Sequence, residues 1–251
     1  MLHTPPLVHR GAPPLVSLLL SALCLCLWPL GAARADFIYP PLRPVPAALV
    51  HQLGPLLRGN DLVLIESEAD GGLKQITSLT LVAAAPEQTR DVLIHAERYS
   101  EFVRNMPRST VKHNPDGTFD HHYVVAYSIV TSDGANRYQL LPKTAGEEDE
   151  PAPVRFFDIT GTSHMRWEFH RPASGGGTIV AVTGFSDLRH SGGIYRALLQ
   201  HAQTLEHGMA LVVQTTLMLA MKARAEQQPG TFPPFVAPPA GARAATYQPL
   251  L

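Results

Sequence analysis

The chain has 251 residues, of which 45% are hydrophobic and 16% charged, and its formal net charge at pH 7 is −1. Without a cluster of Lys and Arg, it lacks the electrostatic pattern of a nucleic-acid-binding protein or a polybasic membrane anchor. Its two cysteines, Cys24 and Cys26, lie in an N-terminal apolar run, so the rest of the chain has no thiol for catalysis, disulfide bonding or metal binding.

The first 35 residues have the pattern of a secretory signal peptide. A basic start leads into an apolar run over residues 15–27, and the small-residue site Ala33-Arg34-Ala35 follows. A run of about thirteen apolar residues is too short for a bilayer, which needs roughly twenty. We expect cleavage after Ala35 and a secreted or periplasmic protein. Removing Arg10 and Arg34 from the 20 basic residues leaves 18 against 21 acidic ones, a net charge of −3.

Three regions follow the signal. Residues 36–60 form a proline-rich lead-in, with a short helix predicted over residues 47–53. Residues 61–228 form a single folded domain. Residues 229–251 contain six prolines, cannot sustain a helix or a central strand, and are expected to be disordered.

The folded domain begins with a hairpin and two short helices. Leu62–Ser67 and Lys74–Val82 have strand composition, and the turn residues Asp70-Gly71-Gly72 lie between them. Pro86 then favours a helix start, and the apolar spacing predicts two short helices up to Asn105.

Six more strands are predicted at hairpin spacing. Turn signals separate them, among them Ser132-Asp133-Gly134 and Ser174–Gly177. The predicted strands are Ser109–His113, Phe119–Val130, Asn136–Leu141, Val154–Ile159, His164–His170 and Thr178–Phe185.

A long amphipathic helix, Gly193–Gln228, closes the folded domain and would be roughly 50 Å long. Its predicted apolar stripe recurs at three- and four-residue steps. The stripe consists of Ile194, Leu198, Ala202, Leu205, Met209, Val212, Thr216, Leu219 and Ala223. The element order predicts an α+β fold in which a curved antiparallel sheet wraps around this helix and leaves a hollow lined by apolar side chains.

This order and several local motifs resemble the START-like (helix-grip, SRPBCC) superfamily, nearest its coenzyme Q-binding START and polyketide cyclase branch. The resemblance covers roughly residues 74–227. It is carried by Val82-Ala83-Ala84-Ala85-Pro86-Glu87, Val92-Leu93, Tyr99-Ser100-Glu101-Phe102, Pro107, Ser109 and Val111. It implies binding of a lipid, quinone, sterol or polyketide in an internal cavity, with enzymatic activity in some branches.

Side-chain alternation along the strands and the helix stripe predict a ligand-binding lining that is mostly apolar, with two tyrosine hydroxyls. An ordinary filled core is the alternative interpretation of the same residues. The predicted lining is Tyr123, Val125, Tyr127, Met165, Trp167, Phe169, Ala181, Thr183, Phe185, Met209, Val212, Val213 and Thr216.

The candidates for acid–base or metal chemistry are few. Asp158 shares a predicted strand face with apolar residues, where a carboxylate would have a raised pKa and act as a general acid or base, although pairing with an arginine is the commoner arrangement. Adjacent His121 and His122 point to opposite faces, and His201 and His207 are six residues apart on a helix, so neither pair has metal-ligand spacing. We therefore predict neither a metal nor a cofactor.

Three functions are compatible with these features. The first is an exported carrier or sequestering protein for a hydrophobic small molecule or lipid, with transient contact to a membrane or membrane protein during exchange. The second is a cyclase or aromatase acting in the same cavity. The third is a non-binding interaction module that uses the proline-rich tail. Binding is favoured over catalysis, and the sequence leaves the oligomeric state open.

Overall fold

The computed structural model describes residues 41–127, 130–143, 149–159, 161–187 and 203–227. Within these ranges the helices are α1 (Ala47–Leu53), α2 (Pro86–Ile94) and α3 (Gln203–Gln227), with 3₁₀ helices at Gly54–Leu57 and Ala96–Glu101. The strands are β1 (Leu62–Ser67), β2 (Leu73–Val82), β3 (Arg108–His113), β4 (Phe119–Tyr127), β5 (Val130–Leu140), β6 (Val154–Asp158), β7 (Ser163–His170) and β8 (Thr178–Ser186). The predicted signal peptide, residues 36–40 of the lead-in, residues 193–202 and 228 of the predicted long helix, and the tail from residue 229 lie outside these ranges.

The eight strands form one antiparallel sheet in the order β1-β2-β8-β7-β6-β5-β4-β3. The first hairpin therefore joins the last strand, and β3 to β8 follow one another as a meander. The predicted hairpin, the two short helices after it, the six-stranded meander and the helix over residues 47–53 are all present.

The predicted turn at Ser132-Asp133-Gly134 is wrong, because these residues belong to β5. Gly134 lies opposite Tyr123 of β4, and the two strands remain paired as far as Tyr127 and Val130. A Cβ atom at Gly134 would come within 2.3 Å of Cζ of the Tyr123 ring. The glycine therefore makes room for a ring lying across the strand, whereas the sequence pattern alone indicated a turn.

The two faces of the sheet carry separate apolar clusters. We call the face that packs against α2 and α3 the inner face, and the opposite one the outer face. Trp167, Phe169 and Phe156 of the inner face pack with Met218 and Met221 of α3. On the outer face, Leu79, Ile179 and Ala181 pack with Val45, Val50 and Leu57 of the lead-in. The lead-in is thus a cover for the outer face.

Polar contacts attach the lead-in to the sheet. The Arg43 backbone N–H donates to Gln75 Oε1 at 3.0 Å, and the Val45 backbone N–H donates to Glu168 Oε2 at 3.3 Å. Because both faces of the central strands are covered, β8 is apolar on both sides and has seven consecutive buried residues, Thr178–Gly184.

Leu57 and Leu56 provide a direct test of this cover. The Leu57 side chain is 2% exposed within the outer cluster, whereas its neighbour Leu56 is 56% exposed. We expect Leu57→Ala to lower the free energy of unfolding by about 2–3 kcal/mol, since a buried leucine is replaced by a cavity. Leu56→Ala should stay within about 0.5 kcal/mol. Urea denaturation of both variants measures the difference, and equal values would show that the lead-in does not pack as described.

The packed face of α3 also differs from the predicted one. Leu205, Val212 and Leu219 of the predicted stripe are 41%, 63% and 42% exposed. The buried residues are one or two positions further along the helix, and they are Glu206, Ala210, Gln214, Met218, Met221 and Ala225. Gln214 lies on the buried face because its side-chain N–H groups donate to Val182 O at 3.0 Å and Ser78 Oγ at 2.9 Å. Hydrophobicity alone assigns such a residue to the exterior.

Candidate functional site

The inner face is built of rows of side chains that run across neighbouring strands. In one row, the ring of Tyr138 stacks on Phe119 with centroids 4.7 Å apart and on Phe156 at 4.9 Å. Tyr138 is 1% exposed, so this aromatic row is filled core. These rings form a rigid apolar wall beside the next row.

The next row, which we call the polar row, consists of His121, Asn136 and Asp158. Asn136 pairs with His121 of β4 on one side and with Asp158 of β6 on the other. Neighbouring strands are about 4.8 Å apart, so the three side chains lie side by side on the inner face. An apolar wall bordered by polar groups suits a ligand with both characters.

His121 is held in one orientation by Ser109 of the neighbouring strand β3. The Ser109 hydroxyl donates to the backbone carbonyl of Ala96, so its oxygen is left to accept from His121 Nε2–H at 2.7 Å. This bonding pattern assigns the ring proton to Nε2. Burial, with a smaller contribution from the neighbouring His122, lowers the pKa of His121 to about 3. The imidazole is therefore neutral at physiological pH.

Tyrosine hydroxyls complete the polar part of the interior. Tyr99 donates to Leu93 O at 2.6 Å, and its hydroxyl lies 3.3 Å from that of Tyr138. Burial raises the pKa of both phenols, so both stay protonated. The His121 ring lies 5.0 Å from Tyr99 and 5.1 Å from Tyr123, measured between centroids.

Asp158 lies at the end of the polar row, on the predicted inner face. Its Oδ2 accepts from Thr162 Oγ1 at 2.7 Å, and the residue is half-buried. A carboxylate bonded in this way can accept a hydrogen bond from a ligand.

The inner face is only partly closed by the elements around it. Helix α3 packs on β2, β8 and α2, and the 3₁₀ helix Ala96–Glu101 packs on β3. Between them, Tyr123, Val125, Asn136 and Asp158 are half-buried, whereas Trp167 is 1% exposed. We take this half-covered part of β4, β5 and β6 as the candidate site.

The structure divides the predicted lining residues into groups. Met165, Trp167 and Phe169 lie on the inner face and are buried in its apolar cluster. Tyr123 and Val125 share that face within the candidate site, and Met209 is half-buried on α3. The side chain of Tyr127 lies outside the described part.

Three predicted lining residues of β8 lie on the wrong face. Ala181, Thr183 and Phe185 pair with Glu168, Arg166 and His164, which all point to the outer face. Alternation separates the two sides of a strand, but both sides of β8 are apolar, so the pattern could not indicate which one faces α3.

Three predicted lining residues of α3 are also misplaced. Val212 is 63% and Val213 is 61% exposed, and Thr216 is exposed too. The prediction followed the most apolar stripe of the helix, whereas the sheet contacts the adjacent face with Gln214 at its centre.

Sequence reasoning missed His121, Asn136 and Tyr138 as site residues. The signal was present, because strict alternation from Tyr123 places His121 on the same face of β4. The adjacent histidine pair by itself suggests only metal binding, which the opposite facing of the two side chains excludes. Among the described residues, no three His, Asp or Glu side chains converge in a way that could hold a metal ion.

The order of the elements and of the strands in the sheet identifies the fold. A hairpin, two short helices, a six-stranded meander and a C-terminal helix across the inner face form a curved eight-stranded antiparallel arrangement. This is the START-like, helix-grip fold. The predicted fold class is therefore confirmed.

Several solved structures with this fold resemble the chain. One is a STAR-related lipid transfer protein from Xanthomonas axonopodis, 14% identical with a TM-score of 0.49, which covers 67% of this chain and 94% of its own. Another is a START superfamily protein from Mycobacterium smegmatis, which is 12% identical, has a TM-score of 0.44, and covers 61% of this chain and 97% of its own. The Zhui aromatase/cyclase from a Streptomyces species is 13% identical and has a TM-score of 0.43. The match covers 61% of this chain and 94% of the aromatase/cyclase chain.

No protein-family model and no curated protein sequence matches the chain. At these identities and TM-scores, the assignment of the START-like fold rests on the strand order and the position of α3.

Proposed function

We propose that this protein binds a hydrophobic small molecule or lipid that carries a polar group, and that it carries or sequesters this molecule outside the cytoplasm. The observation behind the proposal is the half-covered part of the inner face, where the aromatic row borders the polar row of His121, Asn136 and Asp158. The apolar body of the ligand would lie against the Tyr123 ring and Val125, both half-buried. Its polar group would lie toward the polar row.

The energetics of such a site favour binding of an amphiphile. Apolar burial contributes about 25 cal/mol per Å² of surface removed from water, and a few fixed polar groups orient the ligand. Tyr123 is well suited to this role, because its ring lies across Gly134 and is held against the strand. The ring presents a fixed face and a hydroxyl rather than a mobile side chain.

Carriage is proposed over catalysis on the basis of the two titratable groups of the polar row. His121 is neutral and already bonded to Ser109, and Asn136 separates it from Asp158. Two strand spacings, about 9.6 Å, lie between the His121 and Asp158 positions, which is too far for direct proton transfer. The two groups therefore do not form an acid–base pair, and half-buried Asn136 and Asp158 are the members of the row that would orient a ligand.

The location outside the cytoplasm is proposed from the signal-peptide pattern. The apolar run over residues 15–27 and the site Ala33-Arg34-Ala35 support export with cleavage before Asp36. The intact mass of the exported protein would show whether the mature chain starts at Asp36.

Native mass spectrometry of freshly purified protein, followed by lipid extraction, tests the binding proposal. We expect an apolar molecule to co-purify with the wild-type chain. Val125→Trp adds a bulky side chain to the half-covered inner face and should abolish the bound species. Gln139→Trp is the matched control, because Gln139 is an exposed position on the outer face of β5.

The two variants separate blocking of the candidate site from general damage. Gln139→Trp should retain the wild-type amount of bound molecule, and both variants should give a folded circular dichroism spectrum. Unchanged lipid content in Val125→Trp, or a wild-type protein that never carries an apolar molecule, would reject the proposed function.

A further inference from the structure

The outward face of α3 is unusually apolar for a helix exposed to water. Val212 and Val213 are more than 60% exposed, and Leu205 and Leu219 more than 40%. Between Leu205 and Ala223, none of the exposed α3 residues carries a charge. We call this surface the α3 stripe. It consists of Leu205, Gly208, Val212, Val213, Thr216, Leu219 and Ala223.

An exposed apolar surface of this kind indicates that another segment or molecule packs on it. The solvent face of an amphipathic helix is normally polar or charged, and a contiguous exposed apolar patch marks an interaction site. A membrane is a poor candidate, because the α3 stripe has no Trp or Phe to enter the interface, and the Lys and Arg residues of the described helix, Lys222 and Arg224, are paired with Glu226 and Glu101. The occupant is better sought in the chain itself.

The segment after α3 has matching chemistry. Residues 228–251 contain a single charged residue, Arg243, among prolines, alanines and large apolar side chains. Pro229-Gly230 follows the last described residue of the helix, Gln227, after one further residue, and this dipeptide favours a chain reversal. Beyond it, Thr231–Pro239 has four prolines and favours the extended polyproline II conformation.

The two surfaces also match in spacing. A polyproline II segment has three residues per turn and rises about 3.1 Å per residue, so Phe232, Phe235 and Pro238 form one ridge with steps of about 9.3 Å. On α3, Leu205, Val212 and Leu219 are seven residues apart, a step of about 10.5 Å. From the helix end at Gln227, Leu219 and Val212 lie about 12 and 22 Å back along α3, and nine residues from Thr231 span about 28 Å, so the segment is long enough to run past Val212.

We propose that residues 229–239 fold back antiparallel along α3 and cover the α3 stripe from Ala223 to Val212, with Phe232, Phe235 and Pro238 placed between its exposed apolar side chains. Covalent attachment gives the segment an effective concentration in the millimolar range, so a modest intrinsic affinity suffices. Covering the stripe keeps the apolar face of α3 out of water and away from other chains.

Photo-cross-linking of the full chain tests this proposal. p-Benzoylphenylalanine replaces Val212 in the α3 stripe or, as a control, Leu56, which is 56% exposed in the lead-in on the opposite side of the sheet. Trypsin cleaves after Arg196, Lys222, Arg224 and Arg243. We expect illumination at position 212 to join peptide 197–222 to peptide 225–243 within monomeric protein, and the probe at position 56 to give no such product.

Substitutions in the segment sharpen the test without touching the folded domain. The double variant Phe232→Ser, Phe235→Ser removes the ridge and should strongly reduce the cross-link, whereas Tyr247→Ser lies outside the ridge and should leave its yield unchanged. A cross-link from position 212 to a second copy of the chain, to lipid, or to no partner at all would overturn the proposal. So would an undiminished yield in the double variant.

Discussion

Lowering the pH from 7 to 4 should reduce the free energy of unfolding by about 3 kcal/mol through His121 alone. The pKa of this buried imidazole is lowered from 6.5 to about 3 in the folded protein. As the pH falls, the unfolded chain therefore takes up the proton first. Each pH unit within this window costs about 1.4 kcal/mol. The stability contributed by neutral His121 is complete above about pH 6.5 and is lost progressively down to about pH 3.

Urea denaturation at several pH values measures this dependence. His121→Phe removes the titrating group. Between about pH 3 and 6.5, the slope of the unfolding free energy against pH should then correspond to about one proton fewer taken up on unfolding, whatever the effect on absolute stability. His122→Phe is the comparison, because exposed His122 contributes only the smaller part of the pKa shift of His121, so most of the wild-type slope should remain. Burial also lowers the pKa of His164 to about 4, so some acid sensitivity should remain in His121→Phe. Equal slopes in His121→Phe and wild type would contradict the assigned burial.

Replacing Glu168 with alanine should lower the free energy of unfolding by about 3–5 kcal/mol. Its carboxylate is 4% exposed and accepts from Arg166 Nε and Nη2 at 3.0 and 2.9 Å, while its other oxygen accepts from the Val45 backbone N–H at 3.3 Å. Removing the carboxylate leaves the Arg166 guanidinium, 18% exposed, without its counter-charge. Removing one partner of a buried ion pair lowers the free energy of unfolding far more than removing one partner of an exposed pair.

Glu66→Ala provides the matched comparison for the lead-in. Glu66 pairs with Arg43 of the lead-in, and both side chains are largely solvated, at 40% and 62% exposure. We expect this substitution to cost less than about 1 kcal/mol. Joint replacement of Arg166 and Glu168 by leucine should recover much of the loss in Glu168→Ala, because no unpaired charge remains. If Glu168→Ala and Glu66→Ala cost the same by urea denaturation, the lead-in is not anchored through Glu168.

Local patterns were sufficient for most secondary-structure elements. The turn residues Asp70-Gly71-Gly72 and proline at the start of α2 act within a few residues, so β1, β2 and α2 were predictable. The exception is Gly134. Gly134 leaves room for the Tyr123 ring on the neighbouring strand, and the residues before it, Ser132 and Asp133, are typical of a turn, so the sequence pattern predicts a turn where the strand continues.

Side-chain facing was less predictable than element type. For β7 the apolar alternation of Met165, Trp167 and Phe169 indicated the inner face correctly. For β8 the alternation does not indicate which side faces α3, because a strand buried on both sides has no polar side to mark the exterior. The cover responsible is the lead-in, whose role was not evident from its proline-rich sequence.

The polar row illustrates the same limit at the site. His121, Asn136 and Asp158 are separated by 15 and 22 residues in the sequence, and only the strand register of β4, β5 and β6 aligns them. Hydrophobic patterning places polar residues outside by default. It therefore assigned Gln214 to the exposed side of α3, whereas the side chain bonds to Ser78 Oγ and Val182 O beneath the helix.

The sequence by itself determined the order of strands and helices and hence the START-like fold, because turns, helix starts and alternation depend on neighbouring residues. Tertiary structure decided which face of β8 and of α3 meets the interior and which polar groups share the site. Those outcomes depend on contacts between distant segments, and burial of a polar side chain such as His121 or Gln214 is stable only where the fold supplies its hydrogen-bond partner.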